Sequence, residues 1–343
     1  MHILVTGGAG YIGSHTCIEL LGRGHRVTVL DNLRNSSTVS LDRVQQICGQ
    51  RPAFVHADLR DRPSLESLFA EAAKTGGFDA VIHFAALKAV GESVTQPLRY
   101  YENNISGSIC LFEVMEKHGC RRLIFSSSAT VYGLPEKLPI SESESIKPTN
   151  PYGHTKSMME QVLLDTAAAH AWNVTLLRYF NPVGAHPSGL IGEDPEVPNN
   201  LMPFVAQVAA GRRPKVTIFG DDWPTPDGTG VRDYLHVCDL AVAHVDALEK
   251  AAPGAATAIY NVGTGAGYSV KEMIAAFESA CGHSVPSVIG PRRDGDVPTV
   301  VAEASLIRQR LGWEAKLGLQ EMVRDAWNWQ RRNPMGFKGA LLD

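Results

Sequence analysis

Apolar runs and amphipathic stretches alternate along the first half of the chain. Apolar runs of strand length occupy residues 3–6, 26–30, 53–56, 80–86, 122–125 and 174–180. The stretches between them space their apolar residues as helices do, and two long ones cover residues 97–118 and 152–170. Strands that alternate with helices in this way form βαβ units, in which neighbouring strands run parallel. The sequence therefore predicts an α/β fold with a Rossmann-like, doubly wound parallel sheet.

A change in pattern after residue 180 indicates a second domain. Residues 181–233 form irregular segments and short helices, whereas the alternation returns briefly at 234–250 and 258–262. Two interleaved domains are therefore expected rather than a clean division. The expected domains are a first domain of residues 1–180 with returning segments near 234–262, and a smaller C-terminal α/β domain of residues 181–233 and 263–343.

Three glycines follow the first apolar run at intervals of three residues. Gly7, Gly10 and Gly13 lie between that run and a helical pattern, and Asp31 ends the next run. Glycines allow backbone amides to approach a pyrophosphate at a helix N-terminus, whose dipole favours anions. An acidic residue at the end of the second strand accepts hydrogen bonds from ribose hydroxyls and repels a 2′-phosphate. The motif predicts a dinucleotide site that prefers NAD to NADP, although Arg34 lies near enough in sequence to hold a phosphate.

Residues at the ends of later strands extend this site. Asp58 follows the third apolar run, where a carboxylate can accept from an adenine amino group. Ala85 and Ala86 end the fourth run, and small residues there let a cofactor lie against the backbone. Ser128 follows the fifth run, in the crevice where open α/β sheets bind ligands.

Tyr152 and Lys156 lie four residues apart in the helical stretch that follows Pro151. Side chains at this spacing share one face of a helix. A phenol has a pKa of about 10 and is a poor base at neutral pH, but a neighbouring ammonium favours the phenolate. Together with the Ser128 hydroxyl, the pair suits removal of a proton from an alcohol whose carbon loses hydride.

Composition disfavours several other classes of function. Of the 343 residues 44% are hydrophobic and 20% charged, and the net charge is −4. No basic surface typical of nucleic-acid binding is expected, and no apolar run reaches the roughly 18 residues of a membrane span. The six dispersed cysteines predict reduced thiols in a cytoplasmic protein, and no signal peptide is expected. No metal site is expected either, because these histidines lie on separate segments without paired ligands: His83, His154, His186 and His236.

Four longer strings complete a resemblance to a known family. They are FSSSATVYG at residues 125–133, NPVGAHPSG at 181–189, PNNLMP at 198–203 and DGTGVRDY at 227–234. With the glycine motif and the Tyr152–Lys156 pair, they make the chain resemble the extended short-chain dehydrogenase/reductase family over nearly its whole length. The resemblance is greatest to members that epimerise C4 of UDP-hexoses. It implies tightly bound NAD, a UDP-sugar substrate and a homodimer formed through the helices near 97–118 and 152–170.

The resemblance also assigns roles to individual residues. It makes Tyr152 the base, Lys156 the group that holds the nicotinamide ribose, and Ser128 the hydroxyl beside the sugar. The residues it places against NAD are Gly7, Gly10, Tyr11, Ile12, Gly13, Asp31, Asn32, Asn35, Ser36, Asp58, Leu59, Phe84, Ala85, Ala86, Lys88, Asn103, Tyr152, Lys156, Tyr179 and Phe180. Those it places against the substrate are Ser128, Tyr152, Asn181, Asn200, Leu201, Phe219, Arg232, Arg293, Asp296 and Val300.

The implied reaction removes hydride from C4 of the hexose and returns it to the opposite face. A nucleotide-sugar 4,6-dehydratase would need carboxylates where this chain has Ala129 and Thr130, so that activity is disfavoured. The motifs leave open a UDP-glucuronate 4-epimerase and a non-catalytic NAD-binding sensor, although a sensor usually lacks the tyrosine or the lysine.

Val300 bears on the range of substrates. The resemblance places this position in the wall of the sugar pocket. Members of the family that use only plain hexoses commonly have tyrosine there, and members that also accept N-acetylated hexoses have cysteine or serine. Valine is closer in volume to the small residues. We therefore expect some turnover of UDP-N-acetylhexosamines.

Overall fold

The computed structural model describes residues 1–195, 197–251, 254–293 and 295–341. Its contacts divide the chain into two compact units that interleave along the sequence. Unit 1 comprises Met1–Leu134, Ser145–Tyr179 and Ala241–Tyr260, and unit 2 comprises Pro135–Glu144, Phe180–Leu240 and Asn261–Asp343. The short segment Pro135–Glu144 belongs to unit 2, although nothing in the sequence pattern separates it from its neighbours.

A seven-stranded sheet is the main feature of unit 1. Its strands are β1 (His2–Thr6), β2 (Arg26–Asp31), β3 (Ala53–His56), β4 (Ala80–His83), β5 (Arg122–Ser128), β6 (Asn173–Tyr179) and β11 (Ala256–Val262). They lie in the order β11-β6-β5-β4-β1-β2-β3, and the pairs from β3 to β6 run parallel. The order reverses at β1, as in a doubly wound sheet. The prediction of a Rossmann-like α/β fold is confirmed.

Helices connect these strands. They are α1 (Tyr11–Gly22), α2 (Val39–Cys48), α3 (Arg62–Ala73), α4 (Val90–Thr95), α5 (Pro97–Tyr101), α6 (Gly107–Lys117), α7 (Pro151–His170) and α9 (Val237–Lys250). The middle strands are apolar along their length because parallel strands are covered on both faces. Val81 and Leu123 on β4 and β5 have no exposed surface, and helix residues such as Leu111 and Leu163 pack in the same core.

Two predicted elements of unit 1 differ in the structure. The apolar run at 80–86 forms a strand only as far as His83, because the chain then turns so that the backbone of Ala85 lies against Gly7. The helical stretch at 97–118 is interrupted by a π-helical turn, Glu102–Ser106, between α5 and α6. Such turns add a residue to the helical repeat and often lie at functional sites.

Unit 2 is built from short strands and helices around its own core. Its strands are β7 (Asn181–Val183), β8 (Val216–Phe219), β9 (Val231–Arg232), β10 (Tyr234–His236), β12 (Tyr268–Ser269), β13 (Ser287–Gly290) and β14 (Thr299–Val300). Its helices are α8 (Leu201–Ala209), α10 (Val270–Cys281), α11 (Ser305–Leu311) and α12 (Leu319–Arg332). Buried side chains such as Val205, Phe277 and Met322 form the core between α8, α10 and α12. Among the described residues, no helix combines the length and the apolar character needed to cross a membrane.

Candidate active site

The glycine turn between β1 and α1 is tightly packed at two of its three glycines. Gly7 has a φ of +71°, and a Cβ at this residue would lie 2.8 Å from the backbone nitrogen of Ala85. A Cβ on Gly13 would lie 2.4 Å from the carbonyl oxygen of Gly7. Side chains are therefore excluded where the helix approaches the strand.

Gly10 differs from the other two glycines. It is the N-cap of α1 and provides no side chain to cap the first turn. A Cβ on Gly10 would meet only the Gly7 carbonyl oxygen, at 3.3 Å, so the missing side chain leaves open space at the helix N-terminus. This is the feature that a pyrophosphate-binding turn requires, since the ligand must approach the backbone there.

Asp31 closes the other side of this turn. Its buried carboxylate accepts hydrogen bonds from the Ala9 amide at 3.1 Å, the Leu33 amide at 2.9 Å and the Ser36 hydroxyl at 2.8 Å. The carboxylate is thus fixed at the C-terminal end of β2, beside the glycine turn. This is the position from which an acidic residue reaches the ribose of NAD.

Asp58 follows β3, the strand that pairs with β2, so it lies on the same side of the sheet edge as Asp31. It accepts a hydrogen bond from the Asn32 side chain at 2.8 Å and pairs with Arg60 at 2.8 Å. These bonds hold the pKa of the Asp58 carboxyl well below its usual range, with the Arg60 hydrogen bond as the largest cause. The structure therefore brings the Asn32 amide and the Asp58 carboxylate together, both half-buried, while Asn35 is exposed.

Ser128, Tyr152 and Lys156 converge at the end of β5. Asn150 caps α7 by accepting from the Gly153 amide at 2.9 Å, which places Tyr152 and Lys156 in the first two turns of the helix. Ser128 lies beside the Tyr152 phenol, where its hydroxyl acts to lower the pKa of that phenol. Lys156 Nζ donates to the Ser126 carbonyl oxygen at 2.6 Å. The end of one strand and the start of one helix thus assemble the three predicted catalytic residues.

Burial, rather than the Lys156 ammonium, has the largest effect on the pKa of the Tyr152 phenol. Lys156 Nζ lies 5.9 Å from the centre of the Tyr152 ring and 4.9 Å from that of Phe125, because its chain extends past the phenol to the strand. Burial raises the pKa of Tyr152 to about 12, and the Ser128 hydrogen bond opposes this. Burial also lowers the pKa of Lys156 to about 7. Desolvation is therefore the largest effect on the pKa of both groups.

Thr130 fixes the orientation of Ser128. The Thr130 amide and hydroxyl both donate to Ser128 Oγ, at 3.2 and 3.0 Å. An oxygen that accepts two hydrogen bonds directs its own proton elsewhere. Ser128 is therefore arranged to donate to the Tyr152 phenol oxygen, which favours the phenolate. The sequence analysis did not identify this role of Thr130.

Asn104 is a second residue that sequence reasoning missed. It lies in the π-helical turn, and its side chain bonds to both backbone groups of Leu87 and donates to the Thr155 hydroxyl at 3.1 Å. The predicted ligand Asn103 is its neighbour and donates to Asn104 at 2.9 Å. Because Asn103 and Asn104 are adjacent and identical in type, the sequence does not show which of them binds the cofactor and which holds the backbone.

The remaining predicted cofactor residues of unit 1 differ in exposure. Tyr11, Ile12, Phe84, Ala85 and Ala86 are half-buried, Lys88 is exposed, and Leu59 is buried. Tyr179 is buried at the end of β6, where its hydroxyl bonds to Ser126, and burial raises its pKa. Phe180 is buried and begins the second segment of unit 2, Phe180–Leu240.

In unit 2, β9 brings two predicted substrate residues side by side. Arg232 and Val300 are register partners in the parallel pair of β9 and β14. The guanidinium of Arg232 is half-buried and donates to the backbone oxygens of Val231 at 2.9 Å and Pro298 at 3.5 Å. Within the described ranges, no carboxylate forms an ion pair with it, and burial lowers its pKa. Its charge is thus available to an anion.

Asp233 does not neutralise its neighbour Arg232. Its buried carboxylate accepts from the Thr264 amide at 2.9 Å, the Thr264 hydroxyl at 2.7 Å, and the amides of Gly265 at 2.9 Å and Ala302 at 3.1 Å. Asp233 therefore joins the loop after β11 to the segment after β14. Arg232 and Asp233 are adjacent in sequence but have separate functions.

A second group of predicted substrate residues surrounds Arg293. This exposed arginine pairs with Asp296 at 2.9 Å and lies 4.7 Å from the centre of the Phe219 ring. Asn200 precedes α8, which begins at Leu201, and donates to Glu193 at 3.2 Å. Asn181 opens β7, where its amide donates to the Asp233 carbonyl oxygen at 3.0 Å. The structure thus brings together Arg232 with Val300, and Arg293 with Phe219 and Asp296.

Comparison with known proteins identifies the family. Residues 3–263 match the model of the NAD dependent epimerase/dehydratase family. The chain belongs to this family. It is 57% identical to a UDP-glucose 4-epimerase of Bacillus subtilis, over 99% of this chain and 100% of the relative.

Two solved structures of UDP-glucose 4-epimerases are closely similar to this epimerase-family chain. One is from Bifidobacterium longum, in complex with NAD+ and UDP, with a TM-score of 0.94 and 51% identity over 98% of this chain and 100% of that one. The other is from Stenotrophomonas maltophila, with NAD and formylated UDP-arabinopyranose bound, with a TM-score of 0.94 and 53% identity over 97% and 99%. The open turn at Gly10 and the fixed Asp31 carboxylate fit the NAD of the family.

Proposed function

We propose that this protein is a UDP-glucose 4-epimerase, which interconverts UDP-galactose and UDP-glucose with tightly bound NAD. The observation that carries the proposal is the convergence of Ser128, Tyr152 and Lys156 at the end of β5, in a chain that shares 57% of its residues with such an enzyme over its full length. An isomerase of this kind consumes no cofactor, because each turnover restores NAD.

Tyr152 supplies the acid–base chemistry. Its phenol oxygen takes the proton of the sugar 4-hydroxyl and later returns a proton to the C4 oxygen. Ser128, fixed by Thr130, donates to the phenol oxygen and stabilises the charge that forms there. Burial raises the pKa of Tyr152, so a positive charge beside the phenol would favour the phenolate that acts as the base.

The chain's own residues account for retention of the cofactor. The glycine turn would hold the pyrophosphate, Asp31 the adenosine ribose, and Lys156 the nicotinamide ribose. When bound, NAD supplies the acceptor and donor of hydride. Asp31 already accepts three hydrogen bonds from the protein, so its carboxylate is fixed before a ribose hydroxyl donates to it.

Arg232 and Arg293 would hold the nucleotide part of the substrate. A diphosphate requires cationic donors, and Arg232 offers a half-buried guanidinium whose donors meet only backbone oxygens in the described part of the chain. Arg293 is oriented by Asp296 and by the Phe219 ring. The aromatic ring gives a flat apolar surface beside that charge, which suits a nucleobase.

The assay that tests the proposal uses purified protein and UDP-galactose without added NAD. Formation of UDP-glucose, followed by a coupled dehydrogenase, is the expected result. Release of NAD from the denatured protein measures how much cofactor was bound. A protein that contains or is supplied with NAD and yet forms no UDP-glucose contradicts the proposal. Activity on UDP-glucuronate alone would favour the uronate epimerase instead.

We also propose that the protein accepts UDP-N-acetylhexosamines. Val300 is half-buried beside Arg232, and valine leaves more room than tyrosine for an acetamido group. Turnover of UDP-N-acetylgalactosamine is expected at a measurable fraction of the UDP-galactose rate. Val300→Tyr should abolish turnover of UDP-N-acetylgalactosamine and keep turnover of UDP-galactose. Wild-type activity that is confined to plain hexoses contradicts this proposal.

A homodimer in the cytoplasm completes the proposal. Apolar side chains are exposed on the helical stretches predicted to pair, where Leu98 is 82% exposed, Met158 45% and Ile109 37%, and on the preceding helix α4, where Val94 is 61% exposed. A patch of this kind on α4 to α7 is typical of a surface covered by a partner. Light scattering after size exclusion should give twice the chain mass of 37.1 kDa, and Leu98→Asp should reduce it towards one chain. A monomeric wild type contradicts it.

A further inference from the structure

A buried ion pair lies one helical turn beyond Lys156. Glu160 on α7 and Arg178 on β6 each have side chains that are only 5% exposed. Arg178 Nε and Nη2 donate to the Glu160 carboxylate at 2.9 and 2.6 Å. Desolvation makes such a pair a weak source of stability, and an apolar pair of the same volume often serves a core equally well. Its position in the sheet therefore suggests another role.

The pair contacts every element that carries the catalytic residues. The Ser127 hydroxyl donates to Glu160, and Ser127 lies between the Ser126 carbonyl group that binds Lys156 and the Ser128 hydroxyl. On the other side, Arg178 Nη1 donates to the Tyr132 hydroxyl at 3.1 Å, and the guanidinium lies 5.1 Å from the centre of that ring. Tyr132 follows the turn that Ser128 caps. The end of β5, the middle of α7 and this turn are thus joined through one pair.

Glu160 also acts on the charge of Lys156. Burial lowers the pKa of Lys156 to about 7, and the Glu160 carboxylate opposes this. The groups that act on Lys156 in unit 1 are Tyr152 and Glu160 on α7, His83 on β4, and Phe125 and the Ser126 carbonyl on β5. On β6, Arg178 pairs with Glu160, and the Tyr179 hydroxyl bonds to Ser126. Among these described groups, Glu160 is the carboxylate that favours the ammonium.

We propose that Glu160 and Arg178 are positioning residues for the reaction, which fix Lys156 relative to Ser128 and maintain the ammonium of Lys156. The inference rests on the proposed function, because it assigns the pair to the same reaction. Neither residue has to touch the substrate. Each acts through Lys156 and through the strand end that carries Ser128.

Two variants separate this role from a general contribution to folding. Glu160→Gln removes the carboxylate that favours the ammonium, so Lys156 should lose its proton at a pH lower by about one unit, and the alkaline limb of kcat should move to lower pH with it. Glu160→Gln with Arg178→Met leaves no unpaired buried charge. The double variant still lacks the Glu160 carboxylate, so the alkaline limb should again move to lower pH. The shift should be smaller, because the positive charge of Arg178 is also absent. NAD content and thermal unfolding report whether each variant is folded and loaded.

Conservative variants provide the controls. Glu160→Asp keeps the charge and should leave the pH profile in place while kcat falls several-fold, since the carboxylate is displaced. Glu249→Gln makes the same chemical change in a carboxylate that pairs with Arg23 and His25 on another part of unit 1, and should leave kcat and the pH profile unchanged.

A measurement without turnover keeps the inference independent of the epimerase assay. Lys156 is labelled competitively with acetic anhydride at a series of pH values, and the peptide that contains it is quantified by mass spectrometry. Only the neutral amine reacts, so labelling should begin at lower pH in both variants that lack Glu160. If Glu160→Gln does not fold, the double variant decides the question. A folded double variant with the wild-type labelling profile, kcat and alkaline limb would overturn the proposal.

Discussion

The two units treat their charged groups in opposite ways. In unit 1 the groups around Tyr152 are buried and paired within the protein: Lys156 bonds to a carbonyl oxygen, and Arg178 is neutralised by Glu160. In unit 2 Arg232 is half-buried with only backbone oxygens as its acceptors among the described residues, and Arg293 is exposed and pairs with Asp296.

The difference separates chemistry from binding. A catalytic site gains when its groups are held in place before the substrate arrives, because little reorganisation remains for the transition state. A site for a diphosphate gains when a cation such as Arg232 has no carboxylate partner among the described residues, because the ligand then supplies the counter-charge. Substitutions in unit 1 should therefore lower kcat, and substitutions in unit 2 should raise KM.

The largest effect is expected for Tyr152→Phe. The change removes the hydroxyl that exchanges the proton, while the ring continues to fill its place beside Leu87 and Tyr100. The kcat for UDP-galactose should fall on the order of 10²–10⁴-fold, the usual contribution of a general base. Bound NAD and the affinity for UDP should be unchanged. Tyr101→Phe, the same change on α5, should keep full activity. A fully active Tyr152→Phe enzyme would show that another group is the base.

A smaller effect, on KM rather than kcat, is expected for Arg232→Gln. A hydrogen bond between charged groups contributes about 1.5–3 kcal/mol, so KM for UDP-galactose should rise roughly 10–100-fold. The thermal shift produced by UDP should fall with it, while NAD content stays constant. Arg212→Gln, in an exposed arginine of the same unit, is the matched control. A fall in kcat with unchanged KM would show that Arg232 acts in the chemical step rather than in substrate binding.

The sequence predicts the strands and helices of unit 1 better than those of unit 2, because the strands of unit 1 are marked by apolar runs in the local sequence. Strand β2, which is buried from Val27 to Asp31, matches its apolar run at 26–30 to within one residue, since runs of buried residues mark parallel strands directly. Two boundaries depended on distant contacts. The fourth strand ends early because Ala85 packs on Gly7, and the π-helical turn at Glu102–Ser106 is accompanied by bonds from Asn104 to Leu87 and Thr155. No local pattern carries such information.

The same distinction applies to the site. The turn glycines, Asp31 and the Tyr152–Lys156 pair are local motifs, so the sequence locates them. The pairing of Arg232 with Val300 depends on strands of two residues each, which are too short to leave a hydrophobic period. The Glu160–Arg178 pair had one visible sign, an arginine within the apolar run at 174–180, but nothing in the sequence named its partner.

The smallest effect tests the orientation of Ser128 within unit 1. Thr130→Val keeps the shape of the side chain and removes the hydroxyl that donates to Ser128 Oγ at 3.0 Å, while the amide still donates at 3.2 Å. The Ser128 hydroxyl is then less firmly oriented, so it points its proton at the Tyr152 phenol for a smaller fraction of the time. Because this hydrogen bond lowers the pKa of Tyr152, its loss should move the acidic limb of kcat to higher pH. A hydrogen bond between neutral groups contributes about 1 kcal/mol, so kcat at neutral pH should fall roughly five-fold.

A double-mutant cycle decides whether Thr130 acts through Ser128. In a Ser128→Ala background the Thr130 hydroxyl has lost its acceptor, so Thr130→Val should add no further loss of kcat and no further shift of the acidic limb. Thr130→Ser, which keeps the donor, should restore most of the activity. If the losses from Ser128→Ala and Thr130→Val multiply, Thr130 contributes by a separate route. The catalytic end of unit 1 would then be less completely arranged before substrate binds than its hydrogen bonds indicate, and its contrast with unit 2 would be weaker.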